Sequence, residues 1–303
     1  MKALIIGGSG GLSGELAGQL TASGHEVWAL TRGRRPLPSG VRSIVADRED
    51  WEAVASKLAN ERMTWDVVFD CICMNEIHAR QDLEIVSRYT SRFIVVSTDS
   101  VYDPLHKKIP QTEEGVFLEE TGSVREISYG ANKRRMEKVF ESAMNAGNGL
   151  KITLFRPGHI FGPGFQFGCF PEHSRQDDLL NRIVSGETLK LVGMGTYIIQ
   201  PIFVGDLARV MIECVDNVRT FHEIFCIGGP QCIENRTYYE ILADLLGCRV
   251  KIEEIPLEGY LEAHPEYSGH LCHRIYDLSK LKATGIGMPA TSLSEGLPVK
   301  ECL

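Results

Sequence analysis

The 303-residue chain lacks any apolar run approaching the ~20 residues that cross a bilayer. Only four apolar residues follow Lys2 before glycines begin, too few for the core of a secretory leader. These absences predict a cytoplasmic protein without a membrane partner. A basic surplus is also missing: 32 Lys and Arg face 40 Asp and Glu, a net charge of −8, which argues against a nucleic-acid partner. The nine cysteines form no C-x-x-C pair, and their odd number fits reduced thiols better than a disulfide frame or zinc site. His264, His270 and His273 lack a helix-plus-acid setting, so no metal is expected. Repeats, low-complexity tracts and flexible linkers are absent as well.

What is present is alternation. Short apolar runs at 3–6, 27–30, 67–72 and 93–96 read as buried parallel strands. Between them, 12–23, 51–61 and 77–89 carry helical spacing, and Gly24 stops the first helix. This pattern predicts an α/β fold, a Rossmann-type doubly wound parallel sheet. Further on, 127–145, 177–185, 204–215 and 237–246 read as helices, 151–155 and 223–227 as strands, and 162–175 as a Gly/Pro/Phe-rich loop. The expected organisation is a dinucleotide domain over 1–165, with 201–230 returning to it. A smaller C-terminal substrate lobe is expected from 166–200 and 231–303.

The first strand runs into Gly7-Gly8-Ser9-Gly10-Gly11-Leu12-Ser13-Gly14 and then a helix. Strand, glycine turn and helix together form the setting in which backbone approaches a pyrophosphate and the helix N-terminus stabilises its charge. Two frames fit, Gly7/Gly10/Ser13 and Gly8/Gly11/Gly14; the first starts where the strand stops and is preferred. Gly7, Ser9, Gly10, Gly11 and Leu12 are the expected cofactor contacts. After the second strand comes Thr31-Arg32-Gly33-Arg34-Arg35 with no acid. Arg32 and Arg35 suit a ribose 2′-phosphate, so NADP is expected ahead of NAD. Asp47 and Arg48, after the third strand, are placed near the adenine.

Three later segments carry the chemistry: Ser97-Thr98-Asp99-Ser100, Tyr129-Gly130-Ala131-Asn132-Lys133, and Arg156-Pro157-Gly158-His159-Ile160-Phe161-Gly162-Pro163. Tyr129 and Lys133, four apart, share a helix face. An ammonium beside a phenol favours its ionised form, which fits it for exchanging protons with a substrate hydroxyl. With the glycine turn, these segments resemble the extended short-chain dehydrogenase/reductase family, specifically its NAD(P)-dependent sugar epimerase/dehydratase group, from Met1 to about Leu297. The resemblance implies an oxidoreductase or isomerase acting on a sugar-type or other hydroxyl/carbonyl small molecule. In it Tyr129 is the acid/base, Lys133 its modulator and a ribose ligand, and Thr98 the substrate-oxygen ligand. Cys71, Pro157, His159 and Ile160 would border the nicotinamide. A homodimer through the 127–145 helix is a further implication.

Substrate contacts are expected from Asp99, Ser100, Gln166 and Gln200. Sugar 4,6-dehydratases of the resembled group carry Asp-Glu where this chain has Asp99-Ser100, which counts against water elimination. Ile199 stands where the nucleotide-sugar enzymes carry an arginine, so a diphosphate would lose a charge-assisted contact. The loop Phe165 to Phe170 reads as a pocket wall or as packed loop core. Epimerase, reductase and tailoring chemistry on a non-sugar carbonyl all remain open. A non-catalytic regulator or an RNA-associated relative is the alternative class, opposed by the retained Thr98, Tyr129 and Lys133 and by the acidity.

Overall fold

The computed structural model describes residues 1–299 apart from Asn148, Phe170 and Ser268, so Phe170 of the aromatic loop and Cys302 lie outside the described residues. The first half runs β1 (Lys2–Ile6), α1 (Gly11–Ala22), β2 (Glu26–Thr31), β3 (Arg42–Val45), α2 (Trp51–Glu61), β4 (Val67–Asp70), α3 (Glu76–Glu84), β5 (Arg92–Val96), α4 (Tyr129–Asn145) and β6 (Lys151–Pro157). The second half contains β7 (Ile160–Phe161), α5 (Leu179–Val184), β8 (Thr188–Val192), β9 (Ile198–Ile199), β10 (Ile202–Phe203), α6 (Val204–Glu213), β11 (Glu223–Ile227), β12 (Ile233–Glu234), α7 (Asn235–Leu245) and β13 (Lys251–Ile255).

Seven strands form one sheet in the order β11-β6-β5-β4-β1-β2-β3. All its pairings are parallel. The doubly wound α/β fold expected from the alternation is therefore present. β4 and β5 are buried along their whole length because helices cover both faces. On one face Leu12, Leu16 and Leu20 of α1 meet Leu207, Val210 and Met211 of α6. On the other, Val54 and Leu58 of α2 and Met136 and Phe140 of α4 pack on Leu4, Ile6, Val68 and Val95.

Helix starts follow local capping chemistry. Asp50, Asn75 and Ser128 accept from the backbone N–H groups of Ala53, His78 and Ala131. A third apolar cluster joins α5, β8, α7 and the C-terminal segment through Leu179, Leu191, Tyr239 and Leu293. There β8 pairs in parallel with β13, and β9 antiparallel with β12, outside the main sheet. Among the described residues, no helix is long and apolar enough to cross a membrane.

Candidate active site

β1 ends in a turn that only glycine can make without strain. Gly7 and Gly8 hold φ of 119° and 105°, and a Cβ on Gly8 would lie 2.5 Å from the Ala29 Cβ. Ser13, where the preferred frame has its third glycine, accepts the Gly10 N–H at 3.0 Å. The first turn of α1 holds no acidic residue, so its positive end is free for an anion.

Two cavities flank this turn and share Gly10, Ser13, Ile72 and Met74. One, of about 590 Å³, is bordered by Gly7, Ser9, Arg32, Arg34, Arg35 and Asp47 beyond the ends of β2 and β3. The other, of about 580 Å³, is a chamber bordered by the three later sequence segments. Gly11, Leu12, Cys71, Thr98, Tyr129, Lys133, Pro157, His159 and Ile160 all reach it. Phe165 seals one side, its ring filling the space a Gly11 side chain would need.

α4 is fixed at depth by a buried carboxylate. Glu137 accepts from Ser97 Oγ at 2.6 Å and from Arg156 at 2.8 and 2.9 Å, tying the helix to the ends of β5 and β6. The Ser97 hydroxyl is thus committed, whereas Thr98 and Ser100 border the chamber together with Tyr129. Gly130 lets the start of α4 press onto the 99–101 turn, since a Cβ there would overlap the Ser100 carbonyl oxygen. Lys133 is 2% exposed, and its Nζ donates at 2.7 Å to both the Cys73 and Val96 carbonyls. An ammonium has three donors, so this clamp leaves one for an oxygen in the chamber. Tyr129, by contrast, is 53% exposed and borders the open side. Thr98 Oγ1 accepts from Ser100 N at 3.2 Å and keeps its own proton to donate.

Several expected contacts fall elsewhere. Both ends of the Gln200 amide are spent on backbone, donating to Gly229 O at 2.8 Å and accepting from Tyr276 N at 2.9 Å, so it braces strand ends and borders neither cavity. Gln166 donates to Asp177 on the exposed rim, at 2.6 Å, and also borders neither. Arg48 reaches the cavity beyond the ends of β2 and β3, but Asp70 at 2.7 Å and Asp82 at 3.2 Å claim its guanidinium. Burial alone would favour its neutral form; those two carboxylates outweigh it and keep Arg48 charged. Asp70 and Asp82 also lie within metal-ligand reach of Cys73, yet Arg48 already occupies the cation's place.

Asp99 borders the chamber, but Lys107 and Tyr276 OH, each at 2.9 Å, and Arg274 at 3.6 Å surround its carboxylate. Burial pushes this carboxyl up; Lys107 and Arg274 more than offset that and hold it at about 2. It stays ionised and is unsuited to proton transfer near neutrality. His173 accepts from Lys190 N at 3.0 Å and packs in the lobe. Sequence reasoning missed Arg175 and Arg274 at the chamber's lobe side and, having considered His270 only for a metal, missed it too. No local motif marks them; Arg274 arrives there through a bridge to Ile199, 75 residues away.

The family described as "NAD dependent epimerase/dehydratase family" matches residues 3–228. The chain belongs to that family. Membership makes it an NAD-dependent enzyme of the short-chain dehydrogenase/reductase type. Among its relatives, the "2'-dehydrokanamycin reductase" of Streptomyces kanamyceticus is 27% identical over 271 residues, 86% of this chain and 71% of that protein. The "Chloroplast stem-loop binding protein of 41 kDa b" of Arabidopsis thaliana is 23% identical over 256 residues, 77% of this chain but only 60% of that protein. In fold, the UDP-glucose 4-epimerase of Thermotoga maritima solved with UDP-glucose is similar at a TM-score of 0.80, with 21% identity over 99% of this chain and 98% of that one.

Proposed function

We propose that this family member oxidises or reduces a hydroxyl/carbonyl small molecule with NADP, as an epimerase or a reductase, through Thr98, Tyr129 and Lys133. The observation that carries the reading is the clamped Lys133 ammonium, with one donor to spare in the chamber that Tyr129 and Thr98 also border. The glycine turn fits a dinucleotide: Gly8 has no room for a side chain, and α1 begins without an acid. Gly7, Ser9, Gly10, Gly11 and Leu12 would hold the diphosphate, Asp47 the adenine, and Arg32 and Arg35 the 2′-phosphate. Cys71, Pro157, His159 and Ile160 would form the wall beside the nicotinamide. When bound, that ring supplies the two-electron carrier.

The protein's own part is proton handling. The Tyr129 phenol gives a proton to, or takes one from, the substrate oxygen, and Thr98 Oγ1 holds that oxygen in line. Lys133 offsets the negative charge that develops on the phenol. Ser100 stands ready to contact substrate, and the lobe of 166–200 and 231–303 supplies the opposite wall. RNA association is not favoured, given the net charge of −8 and the intact Thr98, Tyr129 and Lys133. A homodimer would use the exposed α3–α4 face, where Arg80, Leu83, Arg135 and Val139 border a shallow groove.

The test is Tyr129→Phe. Dinucleotide affinity is expected to survive while turnover falls about 100-fold or more; full turnover by the variant would end the reading. Dinucleotide retained through purification marks an epimerase, whereas ready exchange marks a reductase.

A further inference from the structure

The segment from Cys71 to Met74, which leaves β4 and leads into α3, serves both cavities at once. Ile72 and Met74 border the chamber and the cavity beyond β2 and β3, and Cys71 faces the chamber. The Cys73 carbonyl is one of the two oxygens that hold the Lys133 ammonium. Beyond Cys71, whose N–H donates to Ile6 O at 3.2 Å, side chains replace the sheet as acceptors. Asp70 Oδ1 accepts from Ile72 N at 2.7 Å. His78 Nδ1, on the first turn of α3, accepts from Met74 N at 3.1 Å.

A backbone N–H can only donate, so His78 Nδ1 is bare and the ring proton sits on Nε2. There it donates to Glu49 Oε1 at 2.6 Å. Both ring nitrogens of this 5%-exposed side chain are thus committed, and only in its neutral form. A second proton would set donor against donor at Met74 and release the segment. The charged groups around the ring are Glu49 and Arg48 after β3, Asp70 at the end of β4, and Asp82, which binds Arg48 from the next turn of α3. Burial first, then the Arg48 charge, hold the imidazole below its ordinary 6.5, while Glu49 and Asp70 pull the other way. Asp47, Arg32, Arg34 and Arg35 border the same cavity, and the three arginines offset the phosphates that a dinucleotide would bring there.

We propose that His78 is a positioning residue for the dinucleotide: its neutral ring fixes the wall that both halves of the coenzyme share, and protonation of the ring loosens that wall. This rests on the reading that a dinucleotide spans the two cavities. The sign of the pH dependence follows. Affinity is full where His78 is neutral and falls as the pH drops through its lowered pKa. The Cys73 carbonyl carries the same loosening to Lys133, so the acidic loss reaches both cavities.

The experiment titrates the full chain with NADP and with NAD, by calorimetry at pH 8 and pH 5. The unsubstituted protein is compared with His78→Asn and His78→Leu, and the coenzyme's own titrating groups drop out of the ratios. His78→Asn keeps an acceptor for the Met74 N–H where Nδ1 stood, and it cannot take a charge. It is expected to match the unsubstituted protein within about twofold at pH 8 and to bind about threefold or more tightly than it at pH 5. His78→Leu leaves that N–H unpaired and is expected to bind about fivefold more weakly at pH 8. If His78→Leu does not fold, His78→Asn alone decides the outcome. A ratio of His78→Asn to unsubstituted affinity that is the same at both pH values overturns the proposal, as does a fivefold loss in His78→Asn at pH 8. Absence of dinucleotide binding by the unsubstituted protein at pH 8 would instead defeat the reading beneath it.

Discussion

Removing the charge on Asp99 tests how the chamber wall is held together. The carboxyl sits at about 2 against an ordinary 3.8, so its ionised form is favoured in the folded protein. A lowered folded value means that the stability is present in full above about pH 4 and fades as pH falls toward 2. At 1.36 kcal/mol for each tenfold change, the difference corresponds to about 2 kcal/mol near neutrality, of which roughly half is gone by pH 3. Asp99→Asn forfeits this and leaves Lys107 and Arg274 without their shared partner, so about 2 kcal/mol is a lower bound for its cost at pH 7. Urea unfolding of both proteins between pH 7 and pH 3 is the assay. The gap between them is expected to narrow by about 1 kcal/mol on acidification. A gap that stays constant over that range refutes the account, because the carboxylate would then not be ionised against those two cations.

Arg32→Ala is expected to lower affinity for NADPH about tenfold relative to NADH; an unchanged ratio in fluorescence titrations removes the 2′-phosphate assignment. Gly8→Ala, which forces a methyl to within 2.5 Å of the Ala29 Cβ, should abolish dinucleotide binding and lower the melting temperature. Adding dinucleotide at a hundred times its Kd should stabilise the unsubstituted protein by about 2.7 kcal/mol in thermal melts, and a flat response would argue against binding. Lys133→Met, which deletes both carbonyl contacts of the ammonium, is expected to weaken dinucleotide binding and turnover together.

The sheet was readable because its strands are buried on both faces and so appear as uninterrupted apolar runs. The glycine turn was readable because the chemistry of close approach admits one residue type. The helix over 51–61 matches α2 in both ends, with Asp50 as its cap. β8 and β13 escaped notice for the opposite reason. Lys190, Glu253 and Glu254 interrupt them, since these paired strands leave much of their length in water. Gln166 and Gln200 read in sequence as substrate contacts because an amide suits a ligand as well as the protein's own polar groups, and only the fold shows Gln200 meeting backbone and Gln166 meeting Asp177. Arg48 reads in sequence as a contact near the adenine; its partners Asp70 and Asp82 become neighbours only when β4 and α3 are in place. The lobe-side cations lie in segments without periodicity or motif, positioned by register alone.

The Phe165 ring fills the gap above Gly11, 2.5 Å from where a Cβ at that position would stand. The same ring borders the chamber, on the chain that continues from His159 and Ile160. A side chain introduced at the start of α1 would therefore displace an aromatic from the chamber wall, so the smallness of Gly11 is a requirement of the chamber as much as of the turn.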